Sequence, residues 1–298
     1  MPLISLETLA VVFDFDDTLV PDSTTILLEE HGIKSKDFWL DNVKKLVQSG
    51  YDPAHAYLKE LLANIGPKKP LGELTNDDLR RFGKKLDNRF FPGVFELFSD
   101  LQKYTSKRKS IEIKFYIISG GLQEIIEGTR LSTEQFASGI YGSQLAPDDD
   151  ADGMLKYIKR CITFTEKTRY LFEINKGVSE KQTRKKPYSV NKDVAIAKRA
   201  VPFRNMIYIG DGLTDIPCFS LVGKGTAEEK GGTTFGVFDP KRQNKAKRAL
   251  VDLIRPRRVI NIQAPEYRKT DTLGSLIRAT IASYCTDIVV RRRQTEIV

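Results

Sequence analysis

The first patterned stretch of the chain is an apolar run, Val11-Val12-Phe13, that breaks into Asp14-Phe15-Asp16-Asp17-Thr18. A short apolar run bounded this way predicts a strand buried in a parallel sheet. Residues 113–118 repeat the form and end at Ser119-Gly120-Gly121, with a helix opening near Leu122. Residues 206–209 do the same and end at Gly210-Asp211-Gly212-Leu213-Thr214-Asp215, and residues 233–238 give a last strand. Residues 141–145 and 154–158 read as paired strands around the acidic turn 147–153. Between the first two strands the apolar spacing turns helical. Helices are expected at 23–31, 36–49, from Asp52-Pro53 to Gly66-Pro67, and at 75–86, so residues 19–88 form a helical block inserted after the first strand. Phe91-Pro92-Gly93 turns the chain back, and a helix follows at 94–104. Thr163 and Glu166 match a capping box, which sets Lys167 in the first turn of a helix closed by Lys176-Gly177. Residues 178–192 read as a polar surface loop, 241–254 and 270–285 as closing helices, and Arg291-Arg292-Arg293 as the start of a tail. The fold class is α/β: a Rossmann-like parallel sheet with a small helical domain inserted after its first strand.

Composition bounds this picture without changing it. At 298 residues the chain suits one large α/β domain, or a domain plus a smaller one. No apolar run approaches the roughly 18 residues of a membrane span, so no membrane partner is expected. The first apolar run leads into Asp14 and belongs to the fold, with no leader pattern before it. Cys161, Cys218 and Cys285 are odd in number and widely spaced, which fits reduced thiols and a cytoplasmic setting. The formal charge of +9 has one source: residues 241–298 hold 14 Lys/Arg against 5 Asp/Glu, and the remainder balances at 34 of each. This basic segment could meet a phosphate-rich partner such as nucleic acid. A solvated surface or a flexible tail is the reading preferred.

The candidate chemistry lies at the strand ends, where open parallel sheets bind ligands. Asp14 and Asp16 are two apart and share one side of the pleat, while Asp17 points the other way. An Asp at such a position is often only a turn residue or helix cap; here Asp211 arrives at a second strand end to join them. Carboxylates about 4 Å apart repel by about 4 kcal/mol at an effective dielectric near 20, so a proton or a cation must join them. Hard oxygen donors suit Mg²⁺. Ser119, Gly120 and the helix that follows offer the opposite polarity, an anion cradle. Lys167, unfavourable in the first turn of a helix, makes more sense beside an anion. Asp215 reads on its own as an N-cap. Asp148, Asp150, Asp152 and Gly153 imitate the start of a calcium loop, but Lys159 stands where the bidentate Glu belongs, and an exposed turn is preferred. His31 and His55 have no acidic or cysteine partner at ligand spacing and read as ordinary helix residues.

Together, Asp14-Phe15-Asp16-Asp17-Thr18, Ser119, Lys167 and the Gly210–Asp215 run resemble the four motifs of the haloacid dehalogenase (HAD) superfamily, in the family's order. The resemblance covers roughly residues 10–240 and is nearest to phosphoserine-phosphatase-like members with a helical cap. It implies a core of residues 1–18 and 89–298, with a basic helical extension from about 241, and a cap of residues 19–88. It implies a Mg²⁺-dependent phosphatase acting on a small phosphorylated metabolite. Asp14 would be the nucleophile, Asp16 the general acid and base, and Thr18 a support of the loop. Ser119, Gly120 and Lys167 would bind the phosphate. Mg²⁺ would sit on Asp14, the backbone carbonyl of Asp16, and Asp211. Asp215 would orient Lys167 or a metal-bound water. Phosphoserine phosphatases usually carry a Glu nine residues after the nucleophile, where Ser23 stands here beside Asp22. A phosphotransferase or mutase with the same intermediate, and a non-catalytic phosphate-binding scaffold, stay open as rivals.

Overall fold

A computed structural model describes residues 7–108, 110–148, 153–238, 253, 258–259 and 261–295. Its strands are β1 Glu7–Phe13, β2 Ile111–Leu122, β3 Ala137–Pro147, β4 Leu155–Arg160, β5 Met206–Gly210, β6 Thr233–Val237 and β7 Asn261–Gln263. They form one sheet in the order β4-β3-β2-β1-β5-β6-β7. Every pairing is parallel except that of β3 with β4, so the sheet is mixed at one edge. The helices described are α1 Ser23–Glu30, α2 Lys44–Gln48, α3 Pro53–Ala63, α4 Asn76–Lys85, α5 Val94–Ser106, α6 Gln123–Gly128, α7 Arg130–Thr133, α8 Glu166–Lys176, α9 Glu180–Lys185, α10 Ile216–Lys224 and α11 Thr272–Thr295.

The central position of β1 explains its unbroken apolar run, because every residue from Leu9 to Phe13 is buried. Alternate side chains enter two different layers. Leu9, Val11 and Phe13 pack with Leu97, Phe98 and Leu101 of α5 and with Ile277 and Ile281 of α11. Ala10 and Val12 pack with Tyr170 and Leu171 of α8 and Phe219 of α10. This α/β core with helices on both faces, and a helical insertion between β1 and β2, is the expected Rossmann-like architecture. Phe13 pairs with Ile117 on one side and Ile209 on the other. The ends of β1, β2 and β5 therefore lie level, and their polar tips share one edge.

Several local expectations are corrected. Residues Asp37–Val43 wind as a wider π-type run before α2 rather than as one α-helix. The loop at 178–192 contains α9, opened by a capping box of Ser179 and Gln182. β2 does not stop at Ile118: its pairing with β3 slips at 119–121 and resumes at Leu122. Arg291-Arg292-Arg293 does not begin a tail but completes α11. There Arg291 bonds Glu7 and Asn205, and Arg292 bonds the carbonyl of Ser110, so part of the basic excess is docked on the core. Residues 272–294 form one helix long and apolar enough by composition to cross a membrane, against the expectation of none. Its buried stripe of Leu273, Ile277, Ile281, Cys285 and Ile288 belongs to the core, and Arg278 is paired with Asp100. The expected helix at 241–254 and the acids at 149–152 lie outside the described residues, Leu253 apart. Of the calcium-like turn, Asp148 is engaged by Lys156.

Candidate active site

Beyond Phe13 the chain stays extended for one residue, the N–H of Asp14 donating to the carbonyl of Ile209 at 2.9 Å. Asp14 thus continues the alternation of Ala10 and Val12, toward the layer that contains α8. The chain then turns sharply, and the carbonyl of Phe15 accepts from Thr18, Leu19 and Val20. Asp17 adopts φ +54°, a left-handed conformation that Asp tolerates better than most residues. The pleat ends here, so the expected opposition of Asp17 is lost: Asp14, Asp16 and Asp17 line one cavity. Thr18 is buried, and its carbonyl accepts from the Tyr267 hydroxyl at 2.7 Å. Tyr267, between β7 and α11, thereby ties the C-terminal segment to the loop.

Lys167 is the cation at the centre of the site. Its Nζ lies 2.9 Å from Asp14 Oδ2 and 2.8 Å from Asp215 Oδ1, and all three side chains are buried. The capping box expected to introduce it is not formed. Thr165 is the N-cap and contributes no side-chain bond, while Thr163 Oγ1 accepts only a long bond from Glu166. Burial alone would push the lysine's pKa down, but Asp14 and Asp215 override it and hold Lys167 charged. Asp215 stands at the N-cap of α10 but makes no side-chain bond to that helix. It accepts from Lys167, from the Tyr208 hydroxyl at 2.7 Å and from the Gly212 N–H. A Cβ on Gly210 would fall 2.5 Å from the Asp215 carboxyl, so that carboxyl can swing under β5 only because residue 210 is glycine. Asp14 is pushed up to about 6, by burial first and by Asp215 next, with Lys167 opposing both.

Asp16 occupies a different niche. Its Oδ1 accepts from the Ser23 N–H at 2.7 Å, at the start of α1. Burial, then the charge of Asp22, raises its pKa well above the usual carboxylate range. Its other oxygen lies where Gly121 has no side chain: a Cβ there would come within 2.4 Å of Oδ2. The slip in β2 bends Ser119 so that its Oγ accepts from the Gly121 N–H at 3.0 Å. The expected helix-terminal cradle is therefore a bulge of small residues, and α6 begins after it with six residues. The carbonyl of Gly120 accepts from Ser143 Oγ and from the Tyr57 hydroxyl of the helical insertion.

The cavity measures about 290 Å³ and has two walls. The sheet edge contributes Asp14, Asp16, Ser119, Gly120, Lys167 and Asp211; the insertion contributes Asp22, Trp39, Asp52 and Tyr57. Phe164 lies at the mouth, 44% exposed. Sequence reasoning missed Tyr208, Tyr57, Trp39 and Asp52 as neighbours of the site. Only Asp52 carried a local signal, as the cap of α3 ahead of Pro53.

Oxygen donors of Asp14, Asp211 and Asp215 lie within 4.8 Å of one another. Such a set of hard, anionic donors fits a divalent cation like Mg²⁺. The Asp215 carboxylate joins those of Asp14 and Asp211 in this cluster, while the Asp16 side chain turns to Ser23 and leaves only the backbone of Asp16 for the expected ligand set.

A family profile of haloacid dehalogenase-like hydrolases matches residues 11–220. The chain belongs to that family. It is 32% identical over 235 residues to an uncharacterized protein of Borreliella burgdorferi, covering 72% of this chain and 78% of the relative. Among solved structures, a HAD family hydrolase of Salmonella enterica serovar Typhi superposes with a TM-score of 0.51 at 16% identity, over 82% of this chain and 66% of that one. A cytosolic 5'-nucleotidase IIIB bound to cytidine superposes with a TM-score of 0.51 at 16% identity, over 95% and 88% of the two chains. At these identities the likeness is one of fold.

Proposed function

We propose that the protein is a Mg²⁺-dependent phosphatase that hydrolyses a small phosphomonoester through an aspartyl-phosphate on Asp14, with residues 19–88 as its cap. The observation that carries this reading is the division of labour between two buried carboxyls. Asp14 is held beside a fixed cation and has a pKa of about 6, so it is mostly ionised at neutral pH. Asp16, two residues on, is raised well above the usual carboxylate range by burial and then by Asp22, which favours its protonated form. Two carboxyls whose environments push their protonation apart are what a nucleophile and a general acid require.

In the first step an Asp14 oxygen bonds to phosphorus, the ester P–O bond breaks, and Asp16 gives its proton to the leaving oxygen. In the second, Asp16 takes a proton from water as that water bonds to phosphorus. The bond to Asp14 then breaks, and inorganic phosphate leaves. Lys167 and Ser119 face the phosphoryl oxygens and balance their charge as it develops. Asp215, with Tyr208 behind it, keeps Lys167 from following the departing phosphate. Asp14, Asp211 and the backbone of Asp16 would hold Mg²⁺, which supplies positive charge to the phosphoryl group.

The substrate class follows from the size of the cavity. A cavity of about 290 Å³ flanked by Trp39, Tyr57 and Phe164 suits a small molecule rather than a folded phosphoprotein or a polymer. Phosphoserine is not favoured, because Ser23 is buried and gives its N–H to Asp16. The three cysteines are free, which accords with a cytoplasmic setting. The test is phosphate release from a panel of sugar phosphates, nucleoside monophosphates and amino-acid phosphates, with Mg²⁺ and with a chelator. Metal-dependent release supports the reading. Label retained on an added alcohol instead of free phosphate would turn it to a phosphotransferase.

A further inference from the structure

His55 and Cys161 are not merely ordinary residues of two separate elements. His55 lies in the first turn of α3, Asp52 caps that helix, and Cys161 follows β4 on the core. One ligand atom from each lies within 4.8 Å of the other two. His55 is exposed and Cys161 half-buried, so the group opens to solvent at the rim of the cavity that Asp52 lines. Neither the His55 imidazole nor the Cys161 thiol makes a hydrogen bond among the described residues, so both remain available as donors.

We propose that Asp52, His55 and Cys161 form a second metal site, selective for a borderline-soft divalent cation such as Zn²⁺, that staples the helical insertion to the core. A carboxylate, an imidazole and a thiolate with an open fourth position make a donor set suited to Zn²⁺ and poorly suited to Mg²⁺. Donors on a tetrahedral zinc stand about 3.6 Å apart, from bonds of about 2.0–2.3 Å. The three groups, all within 4.8 Å of one another, therefore need to close by at most about 1 Å, within reach of rotations of the exposed His55 ring. Two ligands belong to the insertion and one to the core. Tyr57, a half-turn beyond His55, already bonds the core at Gly120. A cation here fastens α3 in the position it holds over the cavity, and its removal frees the insertion to open. The site is chemically distinct from the Asp14–Asp211–Asp215 cluster and independent of what that cluster does.

Co²⁺ reports thiolate ligation by a charge-transfer band, so the test is a Co²⁺ titration of the full-length, metal-stripped, reduced protein, followed by Zn²⁺ displacement. The expected result is one equivalent with a thiolate band. Cys161→Ser should abolish the band, and His55→Ala should weaken binding at least tenfold. Asp14→Asn should leave it unchanged, and millimolar Mg²⁺ should not displace the ion. A band that survives Cys161→Ser, absence of any band, or loss of the band in Asp14→Asn would overturn the proposal. Circular dichroism of Cys161→Ser and His55→Ala establishes that each variant is folded. None of these readouts depends on phosphatase turnover.

Discussion

Replacing Lys167 by methionine tests the buried charge triad with the least change of shape. Lys167 lies 2.9 Å from Asp14 and 2.8 Å from Asp215. At an effective dielectric of about 20, each contact represents about 6 kcal/mol of attraction. The carboxylates, with donors within 4.8 Å of each other, repel by about 3.5 kcal/mol or more on the same scale. Much of the attraction is offset by desolvation of three charges, so the net loss on removing one partner is about 3–5 kcal/mol. The loss must also depend on pH. Without the lysine, Asp14 loses the cation that opposes its upward shift and is raised further above its unfolded pKa. A carboxyl raised in the folded state contributes its full stability below the unfolded pKa and loses it as pH rises through the folded one. Urea unfolding of Lys167→Met should show a deficit of about 3–5 kcal/mol near pH 8 that shrinks to about 1–2 near pH 5, since one proton taken up recovers about 1.4 kcal/mol per pH unit. Equal deficits at the two pH values, or a loss below about 1 kcal/mol at both, would refute the reasoning.

Three further outcomes follow from the same geometry. Gly121→Ala sets a methyl group against Asp16 Oδ2; steady-state assays should show kcat lowered at least tenfold, with the unfolding midpoint less affected. Tyr267→Phe leaves the buried Thr18 carbonyl without its donor and should cost about 1–3 kcal/mol in urea unfolding. The pH profile of kcat/KM should be bell-shaped: activity rises as Asp14 ionises around 6 in weakly bound metal, and falls on the alkaline side as Asp16 loses its proton. Saturating Mg²⁺ should move only the acid limb, downward, and an unmoved acid limb would argue against metal on Asp14.

What could be read in the sequence was whatever local chemistry enforces. The tips of β1 and β5 were legible because an apolar run that stops abruptly at carboxylates marks both a buried strand and the point where it leaves the core. Lys167 was legible because a cation in a first helical turn opposes the dipole, although the capping box used to locate that turn does not form. The features that were not legible depend on contacts far apart in the chain. Tyr208 looked like one more buried strand residue, and only the return of Asp215 beneath β5 gives its hydroxyl a role. His55 and Cys161, more than a hundred positions apart, meet only because α3 folds over the end of β4. The α9 helix did carry a signal, Ser179 followed by Gln182, that was outweighed by its charged composition. Arg291 and Arg292 read as a tail because their partners, Glu7 and the Ser110 carbonyl, lie at the other end of the chain or on its backbone.

The central claim is that Asp14 becomes covalently phosphorylated. The most direct measurement is a borohydride quench during turnover of the best panel substrate, followed by mass spectrometry of the peptide that contains Asp14. An aspartyl-phosphate is reduced by borohydride to homoserine, so the account predicts homoserine at position 14, absent without substrate and absent in Asp14→Asn. Turnover with unmodified Asp14, or phosphate release that persists in Asp14→Asn, would contradict it.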